Sequence, residues 1–78
     1  MNKKLQNFSL AYNALPVGLK KEAREKIKTD CFLMNDNQFY NRKSGRVRIS
    51  EYQAARIINI FLRYGIDAFT GNVLDLAG

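Results

Sequence analysis

The segment N-D-N-Q-F-Y-N-R-K-S-G-R-V-R, residues 35–48, decides how the rest of the chain is interpreted. Six of its first eight side chains are amides or charged groups, and the other two are aromatic. On either side lie segments whose apolar residues recur at helical spacing. The segment is too polar for a core strand and too aromatic for a linker. The pattern therefore predicts a short polar helix that packs on its neighbours through few apolar residues.

Local signals give this short helix its expected limits. Asn35 is a favourable N-cap, and an acid at Asp36 in the first turn suits the helix dipole. Phe39 is the expected inward anchor, and Gly45 lies where the helix should stop. We therefore expect a helix from residue 36 to about residue 43.

Two helical segments are expected before it. The first covers about residues 3–14, and its apolar stripe consists of Leu5, Phe8, Ala11, Tyr12 and Leu15. The second covers about residues 17–31, where an apolar or small residue recurs every four positions: Leu19, Ala23, Ile27 and Cys31. Pro16 separates the two segments. Glu22 and Lys26 form an i,i+4 pair of the favourable polarity.

A further helix, over about residues 50–64, has the clearest pattern. Ser50 and Gln53 have the spacing of a capping box, and Gly65 is the expected C-terminal cap. The broad apolar face is formed by Ala54, Ala55, Ile57, Ile58, Phe61 and Leu62. The tail, residues 66–78, is apolar enough to dock on the core or to form a surface for a partner.

These elements predict an all-α fold, a compact bundle of four to five short helices. One domain is expected over residues 1–78, since a chain of 78 residues is short for more. Residues 17–44 are expected to form a helix-turn-helix, because two helices are joined by a tight turn and the second is short and polar.

Composition narrows the function classes. The net charge is +6 and the isoelectric point about 9.8, which favours an anionic partner such as nucleic acid or an acidic membrane surface. One cysteine cannot form an internal disulfide, and without histidine a zinc site has no usable ligand set. With no histidine and no cluster of acids, there is no obvious acid/base pair. We therefore expect no enzyme activity, no cofactor and no metal.

The same features suggest where the protein acts. A single cysteine fits the reducing cytoplasm. The N-terminus lacks the continuous apolar region of a signal peptide, and the longest apolar stretch, near residues 57–61, is too short to span a membrane. We expect a cytoplasmic protein without an evident small-molecule ligand.

A helix-turn-helix that binds DNA needs an apolar platform, polar outward side chains and flanking cations. Ile27, Cys31 and Met34 are the expected platform, and Phe39 is the apolar residue that rests on it. The candidate base-contacting residues are Asp36, Asn37, Gln38, Tyr40 and Asn41. The candidate phosphate-contacting residues are Arg42, Lys43, Ser44, Arg46 and Arg48. Between residues 42 and 48 there are four cations and no acid.

The run from Glu25 to Gly45 resembles the helix-turn-helix of lambda-repressor-like DNA-binding proteins. In that pattern the turn is followed by an apolar residue and a polar cap, which Met34 and Asn35 match. A polar triplet, an apolar residue and a later glycine come next, and residues 36–38, Phe39 and Gly45 match these. Thr29, Leu33 and Arg42 depart from it: an alanine, a glycine and a second apolar residue are usual there. Residues 16–66 also resemble small phage- and plasmid-associated regulators of gut bacteria.

Three functions remain open. The first is sequence-specific binding of double-stranded DNA by a transcriptional regulator, as a homodimer through the fourth helix and the tail. The alternative is a protein-interaction module, antitoxin-like or an adaptor, on the same fold. Binding of single-stranded RNA through Tyr40, Tyr52 and Tyr64 ranks third, because these rings lie on different segments. Asp36, Asn37 and Gln38 are also explained, taken singly, by a solvated first turn.

Overall fold

The computed structural model describes residues 6–74, and its helices confirm the all-α fold class. The helices are α1 (Ser9–Ala14), α2 (Val17–Asp30), α3 (Asp36–Lys43) and α4 (Glu51–Arg63). Over the described residues there is no strand, and the only β-pairing is an isolated antiparallel bridge between Ile66 and Val73. The prediction of four to five helices is therefore met at four in this range.

The first helix is shorter than the predicted 3–14. Phe8 has φ −117° and ψ 26°, outside helical values, and the Asn7 side chain accepts a hydrogen bond from the Ser9 N–H at 3.3 Å. This local bond competes with continuation of the helix toward residue 6. Residues 3–5, including Leu5 of the predicted stripe, lie outside the described residues.

A cluster of aromatic rings forms the centre of the core. The Phe39 ring lies 5.6 Å from the Phe8 ring and 5.4 Å from the Tyr12 ring, centroid to centroid. Phe61 of α4 lies 6.1 Å from Phe8. The cluster therefore joins α1, α3, α4 and the segment before α1. The predicted stripe of α2 is confirmed, since Ala23, Ile27 and Cys31 are buried there and Leu19 packs against them.

Helices α2, α3 and α4 end with the same hydrogen-bond pattern. After each helix one residue adopts positive φ, and two backbone N–H groups return to carbonyls of the last turn. In α3 and α4 that residue is Gly45 (φ 85°) and Gly65 (φ 72°), as predicted. In α2 it is Phe32, with φ 57°.

The turn after α2 differs from the prediction because of Phe32. The N–H of Leu33 donates to the Lys28 carbonyl at 2.9 Å, and the Leu33 side chain is buried. Met34 is 83% exposed, so its prediction as part of the platform is wrong. The left-handed residue lies one position before the one where glycine is usual in the resembled motif, and this places Leu33, not Met34, in the core.

The buried face of α4 is narrower than the predicted one. Its capping box is confirmed: the Ser50 hydroxyl accepts from the Gln53 N–H, and the Gln53 side chain accepts from the Ser50 N–H. Of the predicted residues, Ile57 and Phe61 are buried and Ala54 is half-buried, whereas Ala55, Ile58 and Leu62 are exposed. Ile60, which was not predicted, is also buried. The broad apolar face is therefore only partly covered, because α2 packs on one side of the helix.

The described part of the tail docks on the core without forming a helix. Ile66 and Ala68 are buried. The Asp67 carboxylate accepts hydrogen bonds from the N–H groups of Phe69 and Thr70 at 2.9 and 3.0 Å, which lowers the pKa of Asp67. The prediction for residues 75–78 lies outside the described residues.

Candidate nucleic-acid interface

The N-terminal end of α3 is capped by its own side chains. The Asn35 side-chain oxygen accepts from the Gln38 N–H at 3.0 Å, which confirms Asn35 as the N-cap. The Gln38 Oε1 accepts from the Met34 N–H at 2.6 Å. The carbonyl half of Gln38 is therefore used to hold the turn, and its amide N–H₂ is the part left to contact a ligand.

Asp36, a candidate base contact, is tied to α2. Its Oδ1 lies 2.8 Å from the Lys28 Nζ and 3.9 Å from the Arg24 Nε. The hydrogen bond from Lys28 holds the pKa of Asp36 below its usual value, and the same bond raises the pKa of Lys28. This carboxylate fixes the position of α3 on α2, and its charge is offset by two cations.

Tyr40 and Lys43 form a second connection, on the side of α3 nearest α1 and α2. The Tyr40 hydroxyl accepts a hydrogen bond from Arg24 Nη1 at 3.3 Å. The Lys43 ammonium lies 4.8 Å from the Tyr40 ring centroid and 5.0 Å from the Tyr12 ring centroid, within cation–π range. Tyr40 is nevertheless 41% exposed, so part of its side chain remains accessible.

The outward face of α3 consists of two amides and a hydroxyl. With about 100° of rotation per residue, Asn37, Asn41 and Ser44 lie opposite the buried Phe39. Asn37 is exposed, and over residues 6–74 its side chain makes no hydrogen bond. The Ser44 hydroxyl donates to the Asn41 backbone carbonyl at 3.2 Å, so the Asn41 side-chain amide is not used by that bond.

The predicted phosphate contacts separate into two groups. Arg46 and Arg48 are exposed, and neither has a carboxylate within ion-pair distance in the described chain. Arg42 is half-buried, and its Nη1 donates to the Gln38 carbonyl at 3.3 Å. Arg42 therefore lies against its own helix, while Lys43 and Ser44 share the exposed end of α3 with Arg46 and Arg48.

Arg24 and Lys28 were not among the predicted site residues, yet the structure places them beside the start of α3. The pKa of Arg24 is raised, mainly because its guanidinium donates to the Tyr40 hydroxyl. The signal that could have found them is their i,i+4 spacing on the flank of α2 next to the buried Ala23 and Ile27.

Two absences concern other kinds of site. Between residues 6 and 74 no group of three or more Cys, Asp or Glu side chains is arranged to hold a metal ion. In the same range none of the helices has the length and apolar character needed to cross a bilayer.

The sequence matches no family model, no curated protein and no solved structure.

Proposed function

We propose that the protein binds double-stranded DNA through the outward face of α3 and acts as a transcriptional regulator of the phage or plasmid type in the cytoplasm. The observation that carries the proposal is the makeup of one surface. Asn37, Asn41 and the exposed part of Tyr40 are the candidate base contacts, and Lys43, Arg46 and Arg48 lie at the helix end. From residue 37 to residue 50 the sequence contains no acid.

The chemistry of these side chains matches the major groove. An asparagine amide pairs with the N6 and N7 atoms of adenine, and exposed arginines bind phosphate oxygens. Asp36 is the acid closest to this surface in sequence, and Lys28 and Arg24 offset its charge. Its predicted role as a base contact is therefore replaced, in this proposal, by positioning of α3.

A homodimer is part of the proposal. A helix of eight residues is about 12 Å long, so one copy reads only three to four base pairs. Two copies double the site and raise its specificity. The exposed apolar stripe of α4, formed by Ala55, Ile58 and Leu62, supports an interface there. Sedimentation of the wild type and of Ile58→Glu tests it: a monomer for both contradicts the dimer.

The first experiment is fluorescence-anisotropy binding to a duplex of random sequence across a salt series, followed by selection from a randomised duplex pool. Contacts from Lys43, Arg46 and Arg48 predict a slope of log K against log salt of about −3 per copy. Arg46→Ala should weaken binding on all sequences and reduce the slope by about 1. Arg63→Ala, which removes the same charge at the end of α4, is the matched control and should have little effect.

Base reading is tested separately. Asn37→Ala or Asn41→Ala should cost about 1–3 kcal/mol on the selected sequence and relax preference at one position. If both changes act equally on selected and random duplexes, α3 does not read bases.

The second candidate is a protein-interaction module without base reading, in which the exposed stripe Ala55, Ile58 and Leu62 would bind a different protein instead of a second copy. Absent or salt-insensitive DNA binding, together with binding of a different protein that is lost in Ile58→Glu, would decide for this candidate.

A further inference from the structure

Phe32 ends α2 at the backbone position where α3 and α4 have glycine. The N–H of Phe32 donates to the Thr29 carbonyl at 3.4 Å, and the next N–H donates to Lys28, as the corresponding groups do after α3 and α4. Gly45 and Gly65 adopt positive φ without steric cost, but a phenylalanine does not. Backbone conformation alone would favour glycine at position 32. The contacts of the Phe32 ring are therefore the reason to look for a function of this side chain.

The Phe32 ring is outside the core. It is 74% exposed, and it stacks on Tyr52 of α4 with centroids 6.0 Å apart and an interplanar angle of 18°. Tyr52 is itself 48% exposed, and the Arg56 guanidinium carbon lies 5.1 Å from its ring centroid. Two aromatic rings and an arginine thus form one solvent-facing group, the residue types that dominate the energetics of protein interfaces.

Arg56 also lines a groove between α2 and α4 with a volume of about 320 Å³. The polar side chains of this groove are Lys26, Asp30, Arg56, Asn59 and Arg63, over an apolar floor that includes Ile60. Lys26 is paired with Glu22, whose carboxylate lies 3.0 Å from its ammonium, so the groove offers Arg56 and Arg63 against the one acid Asp30. The groove therefore favours a ligand with excess negative charge. Because Arg56 belongs to both features, the aromatic pair and the groove form one continuous surface.

This surface is distinct from the α3 face. On α2, Arg24 and Lys28 contact α3. Lys26 and Asp30 each come two residues after one of these, so they point about 200° away from them around the helix axis, toward the groove. A duplex bound to α3 therefore leaves the groove open.

We propose that Phe32, Tyr52 and the groove between α2 and α4 form a docking surface for an acidic peptide segment of a partner protein. One large apolar side chain of the peptide packs on the Phe32–Tyr52 pair. Its carboxylates pair with Arg56 and Arg63, and Asn59 and Asp30 form hydrogen bonds with the peptide backbone. This goes beyond the DNA-binding function and does not depend on it.

The observations favour a peptide over single-stranded nucleic acid. A single strand binds through successive bases stacked on several rings, and here one pair of rings offers one position. Asp30 within the groove repels a phosphate row, but it accepts a hydrogen bond from a peptide N–H.

The test is selection of random short peptides displayed on phage against the immobilised full chain, followed by anisotropy with the enriched labelled peptide. Enriched peptides should carry Asp or Glu next to one large apolar residue. Their Kd should rise at least about tenfold for Arg56→Glu and for Phe32→Gly. Phe32→Gly retains the left-handed backbone, so circular dichroism should show an intact fold. Arg46→Ala, on the DNA face, is the control that should leave peptide binding unchanged.

Several outcomes would overturn the proposal: no enrichment, enrichment without acidic residues, or peptide binding that falls with Arg46→Ala and not with Arg56→Glu. Binding of an oligothymidylate that is lost in Phe32→Gly would assign the surface to nucleic acid. Self-association lost in Phe32→Gly would assign it to a second copy. Failure of the wild type to bind duplex DNA would remove the proposed function and leave peptide docking standing.

Discussion

At Phe32 two demands on one residue compete. The hydrogen bonds that end α2 require positive φ, while the ring that stacks on Tyr52 requires a side chain. For an L-residue the left-handed conformation costs about 1–2 kcal/mol. The chain accepts this cost at position 32 and avoids it with glycine at positions 45 and 65. At position 32 the side chain that supplies an exposed aromatic ring therefore lowers the stability of the turn.

This conflict predicts an unusual order of stability for two substitutions. Both Phe32→Ala and Phe32→Gly remove the ring, but only glycine relieves the left-handed backbone. Glycine relieves about 1–2 kcal/mol of strain but costs about 0.4–1 kcal/mol more chain entropy than alanine, so Phe32→Gly should be more stable than Phe32→Ala by up to about 1 kcal/mol. Urea unfolding of the two variants measures the difference. Position 31, where φ is −99°, is the control: Cys31→Ala should be more stable than Cys31→Gly. A more stable Phe32→Ala would mean that the turn relaxes away from positive φ.

Cys31 predicts a loss of stability in alkaline solution. Burial raises the pKa of its thiol from 9.0 to about 11. Between these values the thiol of the unfolded chain ionises while that of the folded chain stays protonated. The stabilisation is thus complete below pH 9 and falls as the pH rises toward 11, by at most about 1.4 kcal/mol per pH unit.

The measurement is the free energy of unfolding across that pH range for the wild type and for Cys31→Ala. Lysines and tyrosines titrate in both proteins, so the difference between the two curves isolates the thiol. Parallel curves would show that the thiol ionises in the folded protein at its ordinary pKa.

Among the elements, α2 and α4 are joined at their ends as well as along their faces. The Gln53 Nε2 donates to the backbone carbonyl of Cys31 at 3.2 Å, and the Cys31 thiol donates to the backbone carbonyl of Gln53 at 3.8 Å. Gln53 therefore belongs both to the capping box of α4 and to the contact with α2. The cap that fixes where α4 begins also fixes where it lies.

This double role predicts unequal effects from the two halves of the capping box. Ser50→Ala should cost about 1 kcal/mol, as removal of an N-cap does. Gln53→Ala loses the other half of the box and the bond to the Cys31 carbonyl, so its cost should be about 1 kcal/mol larger. Urea unfolding of both variants tests this, and equal costs would mean that the Gln53–Cys31 bond contributes nothing net.

Much of the element order follows from local sequence signals. The Asn35 cap, the capping box at Ser50 and the glycines at 45 and 65 act within one helix turn, so their neighbours in sequence suffice to predict them. The candidate face of α3 follows equally from helical spacing, since Phe39 fixes which side is buried.

Other features depend on distant parts of the chain. Phe32, Leu33 and Met34 are three apolar residues in a row, and packing against the rest of the core decides that Leu33 is the buried one. The salt bridge between Asp36 and Lys28 likewise needs the docking of α3 on α2, which residue spacing does not reveal.

For the whole molecule, the small core depends on a few rings. Phe8, Phe39 and Phe61 are fully buried. The ring centroids of Phe39 and Phe61 lie 5.6 and 6.1 Å from that of Phe8. A domain of this size has a total stability near the low end of about 5–15 kcal/mol. Loss of one central ring therefore threatens the entire fold.

Phe39→Ala should destabilise the protein by about 3–5 kcal/mol and leave it largely unfolded. Circular dichroism and thermal unfolding measure the effect. Tyr40→Ala, at the neighbouring exposed position, is the control and should remain folded. A stable Phe39→Ala protein would show that α3 does not dock through this ring, and the geometry of the proposed DNA face would have to be revised.

The burial of Cys31 has a practical consequence. It is the only sulfhydryl of the chain, and it lies under the start of α4 with 2% of its surface exposed. A thiol-labelling reagent can reach it only when α2 and α4 separate. The labelling rate in the native protein therefore reports the opening of this contact without any engineered probe. A ligand that binds across α2 and α4 should slow the labelling, whereas one confined to α3 should affect it less.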